Sequence, residues 1–389
     1  MSRQISIIFL LLFSFSSFSA EKYTVIGNTR SNDDYIQHLI SECQEKEDTE
    51  LSQCLMNRQI FTKVEITGNN IVVEERWTLI PVPQVSGGSD TSSFGIFVMD
   101  TNFLGRGKVA VAGVSVGSAA DSYFLLYKDP ELFLTDWTSS VMIQSSENDV
   151  KAYSGKDEIY NFTQNQTGAR LGIGHKFFSD YEVGVGGSFT KKKFKKLDNY
   201  IIPEENTALG VDLNFRYKNS DFKFYFNEGL DADLALATDV NRTDAEEKVQ
   251  IAAVNVRYQQ NTYSQHALQI GLSSTATKNA TVKDLARFGG ARGARGVQDS
   301  ALWVKSLTSL SVDYQIPVLF SSYGVWTVSP FADYGIFKSD VNTFSNYNSY
   351  GVGAYLFLKN VAVPGMGILI GKNDRFQGSF VSFSIGLQP

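Results

Sequence analysis

Arg295 stands in a run of glycines, with Gly289, Gly290 and Gly293 before it and Gly296 after it, and two acids follow at Asp313 and Asp333. A guanidinium offers planar, bidentate geometry to carboxylates, so this set can lock a loop through charge. The glycines give that loop the backbone freedom to fold tightly. Other candidates for chemistry are weaker. Gly113-Val114-Ser115-Val116-Gly117 matches a nucleophile elbow, in which a serine sits on a strained strand-to-helix turn beside a base and an oxyanion hole. Here the pentapeptide lies inside an alternating segment with no helix after it. His38, His175 and His266 are the only histidines, and none has the spacing of a His-Glu-x-x-His helix. Asp231 and Asp233 share a strand face and read as solvated carboxylates, not as a glycosidase pair. No catalytic group, metal site or cofactor is expected, and the chain is not read as an enzyme.

These residues need a frame to hold them. The chain has 389 residues, 43% hydrophobic and 13% aromatic, which excludes wholesale disorder. Its net charge of −6, with no long basic block, argues against nucleic acid as a partner. Residues 1–20 carry Arg3, an apolar stretch and a small-residue exit ending at Ala20, and read as a secretory signal peptide. Beyond them no apolar run approaches the roughly 20 residues that a membrane-crossing helix needs.

Residues 21–84 read as a β-α-α-β-β unit. Ser31 is expected to cap a helix whose Ile36, Leu39, Ile40 and Cys43 fall on one face. A second helix from Thr49 turns Leu51, Cys54 and Leu55 inward. Residues 61–66 and 71–75, around the turn Gly68-Asn69-Asn70, read as a hairpin. Cys43 and Cys54 are the only cysteines, and in an exported chain a disulfide between the two helices would brace so small a core. Two buried free thiols are the alternative.

Residues 85–92 read as a linker, and residues 93–389 alternate. Leu209, Val211, Leu213, Phe215 and Tyr217 oppose Gly210, Asp212, Asn214, Arg216 and Lys218; Val381, Phe383 and Ile385 oppose Ser382, Ser384 and Gly386. An apolar face toward lipid and a polar face toward a lumen mark a transmembrane barrel. Counting segments gives about 16 strands, the weakest at residues 284–288, which is kept because an even number is expected of such barrels. The fold is therefore mainly β, a 16-stranded transmembrane β-barrel preceded by one small α+β unit. Parity turns Asp313 and Asp333 into the lumen from adjacent strands.

The α+β unit resembles a POTRA domain, the periplasmic module of the BamA-like bacterial surface antigen superfamily. Asp100-Thr101-Asn102-Phe103-Leu104-Gly105-Arg106-Gly107 resembles that superfamily's first-hairpin motif, with Asn102, Gly105, Arg106 and Gly107 as its marked positions. Phe288-Gly289-Gly290 followed by Arg295-Gly296 is similar to its inward-folding sixth extracellular loop. Asp313-Tyr314-Gln315-Ile316-Pro317 and Phe331-Ala332-Asp333-Tyr334-Gly335 stand where its strands 12 and 13 are expected. The resemblance implies that Arg295 folds back onto those strands. It implies a location in the outer membrane of a Gram-negative bacterium, with outer-membrane lipids around the barrel and the N-terminal domain in the periplasm. It further implies insertion or translocation of a protein or lipid client, an unfolded or extended segment adding a strand to the POTRA sheet edge. A passive narrow pore or structural surface antigen is the alternative. Three departures separate the chain from the housekeeping insertase. It has room for one POTRA unit, it carries Val297 where the loop motif has an aromatic, and it ends on Pro389.

Overall fold

The computed structural model describes residues 23–385 except 44–46, 88–91, 118–119, 155–156, 179, 197–201, 245–246, 289–294, 298–301, 339–343, 362–365 and 376–377. The signal peptide read over residues 1–20 lies outside the described residues.

The N-terminal unit comprises β1 (Thr24–Ile26), α1 (Asp33–Cys43), α2 (Asp48–Met56), β2 (Phe61–Thr67) and β3 (Asn70–Glu75). Its sheet has the order β1-β3-β2, with β1 parallel and β2 antiparallel to β3. The apolar face of α1 buries Tyr35, Ile36, Leu39, Ile40 and Cys43, and α2 buries Leu51 and Leu55. These pack on Ile60, Phe61, Val64, Ile71 and Val73 as one core. Cys43 and Cys54 are disulfide-bonded between the helices, a cross-link that restricts the unfolded chain where the core is small. Ser31 is not the helix cap. The Asn32 carbonyl accepts the N–H groups of Tyr35 and Ile36, and the Ser31 hydroxyl turns instead toward Asn102.

A 16-stranded antiparallel sheet follows. Its strands are β4 (Leu79–Gly87), β5 (Ser92–Phe103), β6 (Lys108–Gly117), β7 (Ala120–Asp129), β8 (Trp137–Ser154), β9 (Asp157–Phe177), β10 (Tyr181–Lys196), β11 (Asn206–Phe222), β12 (Asn227–Arg242), β13 (Gln250–Asn261), β14 (Ala267–Lys278), β17 (Ser306–Phe320), β18 (Gly324–Lys338), β19 (Phe344–Leu358), β20 (Met366–Asn373) and β21 (Gly378–Ile385). The short β15 (Ala286–Phe288) and β16 (Leu302–Val304) pair only with each other, inside the connection from β14 to β17. Each barrel strand pairs with the next, and β21 comes to lie beside β4. Leu209, Val211 and Phe215 are exposed on the outward face, while on β17 the inward Ser309 and Gln315 are buried and the outward Leu310 and Val312 are exposed.

The membership of the sheet differs from the sequence reading in two places. Residues 284–288 are not a barrel strand, because their brief alternation belongs to the three-residue ladder of β15 and β16. The first strand is instead β4, so the barrel begins at Leu79, inside the stretch assigned to the α+β unit and the linker. Pro81 and Pro83 disguise β4 as a loop. Proline is tolerated on an edge strand where its missing N–H faces away from the ladder. That is its position here. The Thr101 N–H donates to the carbonyl of Thr78, and Leu79 pairs with Asp100. Even-numbered residues of β4 therefore bond to β5. Pro81 and Pro83 turn their backbone toward β21.

Candidate functional site

Two constructions stand out, one in the lumen and one where the α+β unit meets the barrel. In the lumen, β17 and β18 pair Ser311 with Asp333 and Asp313 with Phe331. The two carboxylates are thus diagonal neighbours on the inward face. Arg295 enters between them from the β14–β17 connection. Its Nε donates to Asp333 Oδ2 at 2.7 Å, its Nη1 to Asp313 Oδ1 at 2.7 Å and its Nη2 to Asp313 Oδ2 at 3.0 Å. Nη2 also bonds Asp333 Oδ1, so both acids are held in two-pronged fashion. The guanidinium carbon lies 4.1 Å from the centroid of the Phe331 ring, which adds a cation–π contact. The Ser349 hydroxyl donates to the Arg295 carbonyl at 2.6 Å, and Asn373 donates to that hydroxyl at 2.7 Å.

Gly296 has φ +77°, and a Cβ there would stand 2.4 Å from Phe380 Cε1; only glycine fits without displacing that ring. Val297, in the place of the motif's aromatic, is buried with Leu302, Val304, Leu307, Phe337 and Tyr347. Gly289, Gly290 and Gly293 lie outside the described residues.

The second construction uses the first-hairpin residues. Asn102 Nδ2 donates to the Ser31 hydroxyl at 2.8 Å, and its Oδ1 accepts the Gly107 N–H at 2.8 Å. The Asn32 N–H donates to the Gly105 carbonyl at 2.9 Å, and Arg30 pairs with Asp100 at 3.2 Å. Gly105 and Gly107 both have positive φ, while Arg106 is exposed at the turn. Three of the four marked positions thus hold the start of α1 against the turn between β5 and β6.

The clamp extends to two further turns. Asn57, after α2, accepts the Phe222 N–H at 2.8 Å and donates to Asp221 at 2.9 Å. Arg58 bridges Glu42 of α1 and Glu131 of the β7–β8 turn, and Lys176 Nζ reaches Glu131 at 3.2 Å. Burial works against the Glu42 carboxylate, yet His38, Arg58 and Lys176 outweigh it and hold its pKa at about 2. Burial, reinforced by Glu131, pushes the Tyr35 hydroxyl well above its usual value. Arg76, stacked 4.6 Å over the Phe222 ring, is pushed down to about 10 by burial alone. Sequence reasoning missed this junction. Its one local signal was His38 and Glu42, spaced i, i+4 off the apolar face of α1. Ser115 of the elbow-like pentapeptide sits within β6, as a strand residue.

A sixteen-stranded barrel with a clamped α+β unit and an arginine-tied inward loop defines a class of outer-membrane protein. Residues 102–364, about two thirds of the chain, match the Omp85 superfamily domain, and the chain belongs to that superfamily. Its structure is similar to that of BamA from Haemophilus ducreyi lacking POTRA domains 1–3, with TM-score 0.61 at 14% identity over 95% of this chain and 85% of that one. It is also similar to CdiB from Acinetobacter baumannii, with TM-score 0.60 at 13% identity over 94% of this chain and 73% of that one. CdiB from Escherichia coli gives 0.63 at 10% identity over 94% and 76%. At such identities the likeness is one of fold. A search of curated protein sequences finds no match.

Proposed function

We propose that this protein handles clients at the outer membrane, inserting or translocating an extended protein segment, or a lipid, at the seam between β4 and β21. On this reading the α+β unit is a POTRA-like domain in the periplasm. The observation that carries the proposal is the edge of β4. Pro81 and Pro83 face β21 and have no N–H to give, and among the described residues no paired backbone joins the two strands. An extended client carries its own N–H and C=O groups and could bond where the seam cannot. Before that, β1 and β2 are the free edges of the small sheet, where strand addition is available. A passive pore is supported less well, because Arg295, tied to Asp313 and Asp333, occupies part of the lumen.

The test is photo-cross-linking from Glu65 on β2 and from Pro81 on β4, combined with deletion of the gene and analysis of the outer-membrane proteome and lipids. Clients trapped at both positions and depleted on deletion are expected. An unchanged membrane, no trapped client and a steady single-channel conductance would instead favour the pore.

A further inference from the structure

We propose that His38, Glu42 and Glu131 form a binding site for a divalent transition-metal ion of the zinc type, which fastens the α+β unit to the barrel. His38 and Glu42 are one turn apart on α1 and share a helix face, while Glu131 comes from the β7–β8 turn. His38 Nε2 lies 3.5 Å from a Glu42 carboxylate oxygen and 3.8 Å from Glu131 Oε2. One ligand atom from each residue falls within 4.8 Å of the other two. Both Nε2 distances are long for hydrogen bonds. Ligands about 2.0–2.2 Å from zinc at the tetrahedral angle stand roughly 3.3–3.6 Å apart; the 3.5 Å separation from Glu42 falls in that range, and Glu131 Oε2, at 3.8 Å, would have to move in by a few tenths of an ångström to share the ion.

The second observation is that this space is lined by polar atoms without a partner. Glu131 is 2% exposed, yet its Oε2 has no hydrogen-bond partner among the described residues, and neither has the buried Nε2 of His38. Such orphans call for a physical explanation, and one cation between them satisfies both. The other two carboxylate oxygens are already occupied, and Lys176 Nζ also stands 3.8 Å from Glu42 Oε1, the oxygen that faces His38. Arg58 bonds Glu42 Oε2 and Glu131 Oε1, and Lys176 donates to Glu131 Oε1 at 3.2 Å. Groups in that position orient ligands at metal sites. They also offset part of the ligand charge, so the affinity is expected to be moderate. One imidazole and two carboxylates leave a fourth position for water. Because the ligands come from both sides of the junction, the ion stabilises the docked arrangement by mass action.

The experiment uses tag-free full-length protein, refolded or extracted in detergent, stripped with chelator and titrated with Zn²⁺ against a chromophoric competitor. One ion per chain is expected, with affinity reduced about tenfold or more in His38→Ala and in Glu131→Gln. Gel mobility of the unheated barrel verifies folding, and Glu42→Gln serves as the second ligand variant should Glu131→Gln fail to fold. Zn²⁺ should also slow protease cleavage near residues 76–78 in the wild type but not in His38→Ala. Absence of binding overturns the proposal. So does unchanged binding in His38→Ala, which would place the ion elsewhere. Protection that appears on acidification without Zn²⁺ would likewise replace the metal with a protonated His38 bridging the two carboxylates.

Discussion

A Cβ on Gly107 would stand 1.9 Å from the hydroxyl oxygen of Tyr35. The first hairpin of the barrel and the first helix of the α+β unit therefore meet at a point with no room for a side chain. Gly105 is similar, its absent Cβ lying 2.2 Å from the Arg30 carbonyl. Gly107→Ala combines that overlap with a left-handed backbone, which alone costs roughly 1–2 kcal/mol for alanine. Protease access between the unit and the barrel should rise in Gly107→Ala and Gly105→Ala while the barrel itself keeps its unheated gel mobility. Arg106→Ala, at an exposed position, should behave as wild type.

Arg295→Ala should lower the temperature at which the folded barrel loses its compact gel form, and should open the β14–β17 connection to protease. Removing one partner from a buried ionic set costs on the order of 3–5 kcal/mol, because the remaining charges are left uncompensated. Here Asp313 and Asp333, diagonal neighbours on adjacent strands, would be left side by side without the arginine between them. Arg295→Lys should recover part of the loss, since an ammonium supplies charge without the fork. Arg292→Ala, at a position outside the described residues, is expected to do less; a larger effect there would refute the lock.

The barrel is legible in the sequence because a period of two survives inspection strand by strand, as in residues 209–218, and the parity of Asp313 and Asp333 follows from it. β4 was hidden for a physical reason. Its two prolines are breakers in a central strand and acceptable on an edge, and a sequence does not declare which strand is the edge. The junction was hidden for another. Asn102 meets Ser31, and Glu131 meets Arg58, across long stretches of chain, and no periodic signal marks a residue that serves a contact between domains.

Docking of the α+β unit should weaken in acid through Glu75. Its carboxylate accepts the N–H groups of Thr29 at 2.9 Å, Arg30 at 2.8 Å and Ser31 at 2.8 Å, shaping the loop that carries Ser31 to Asn102. Partial burial opposes ionisation, but these bonds outweigh it and lower the pKa below the ordinary 4.5. A depressed carboxyl contributes stability that is complete above the unfolded value and is lost as pH falls through the folded one. Cross-linking between cysteines placed at Asn32 and Leu104 should hold steady from pH 7 to about 5 and decline below the ordinary carboxyl pKa. In Glu75→Gln the yield should be lower at neutral pH and nearly flat with pH; an acid decline as steep as in wild type would assign the effect to another group.

Replacing Pro81 and Pro83 should close the seam. Both sit at positions of β4 whose backbone turns toward β21, and a residue with an N–H there restores a donor that β21 can use. Each ladder bond gained is worth about 0.5–1.5 kcal/mol net, so Pro81→Val/Pro83→Val should raise the heat resistance of the folded barrel. Pro330 provides the control. It lies on β18, paired with Val352 of β19 and remote from the seam, so Pro330→Val should leave cross-linking between β4 and β21 unchanged. If the seam is where clients pass, the double variant should also trap fewer of them at position 79, while capture from Glu65 on β2 persists. A barrel that gains no stability from the double variant would mean that β4 and β21 cannot approach to bonding distance. Gained stability with undiminished client capture would move the passage away from the seam.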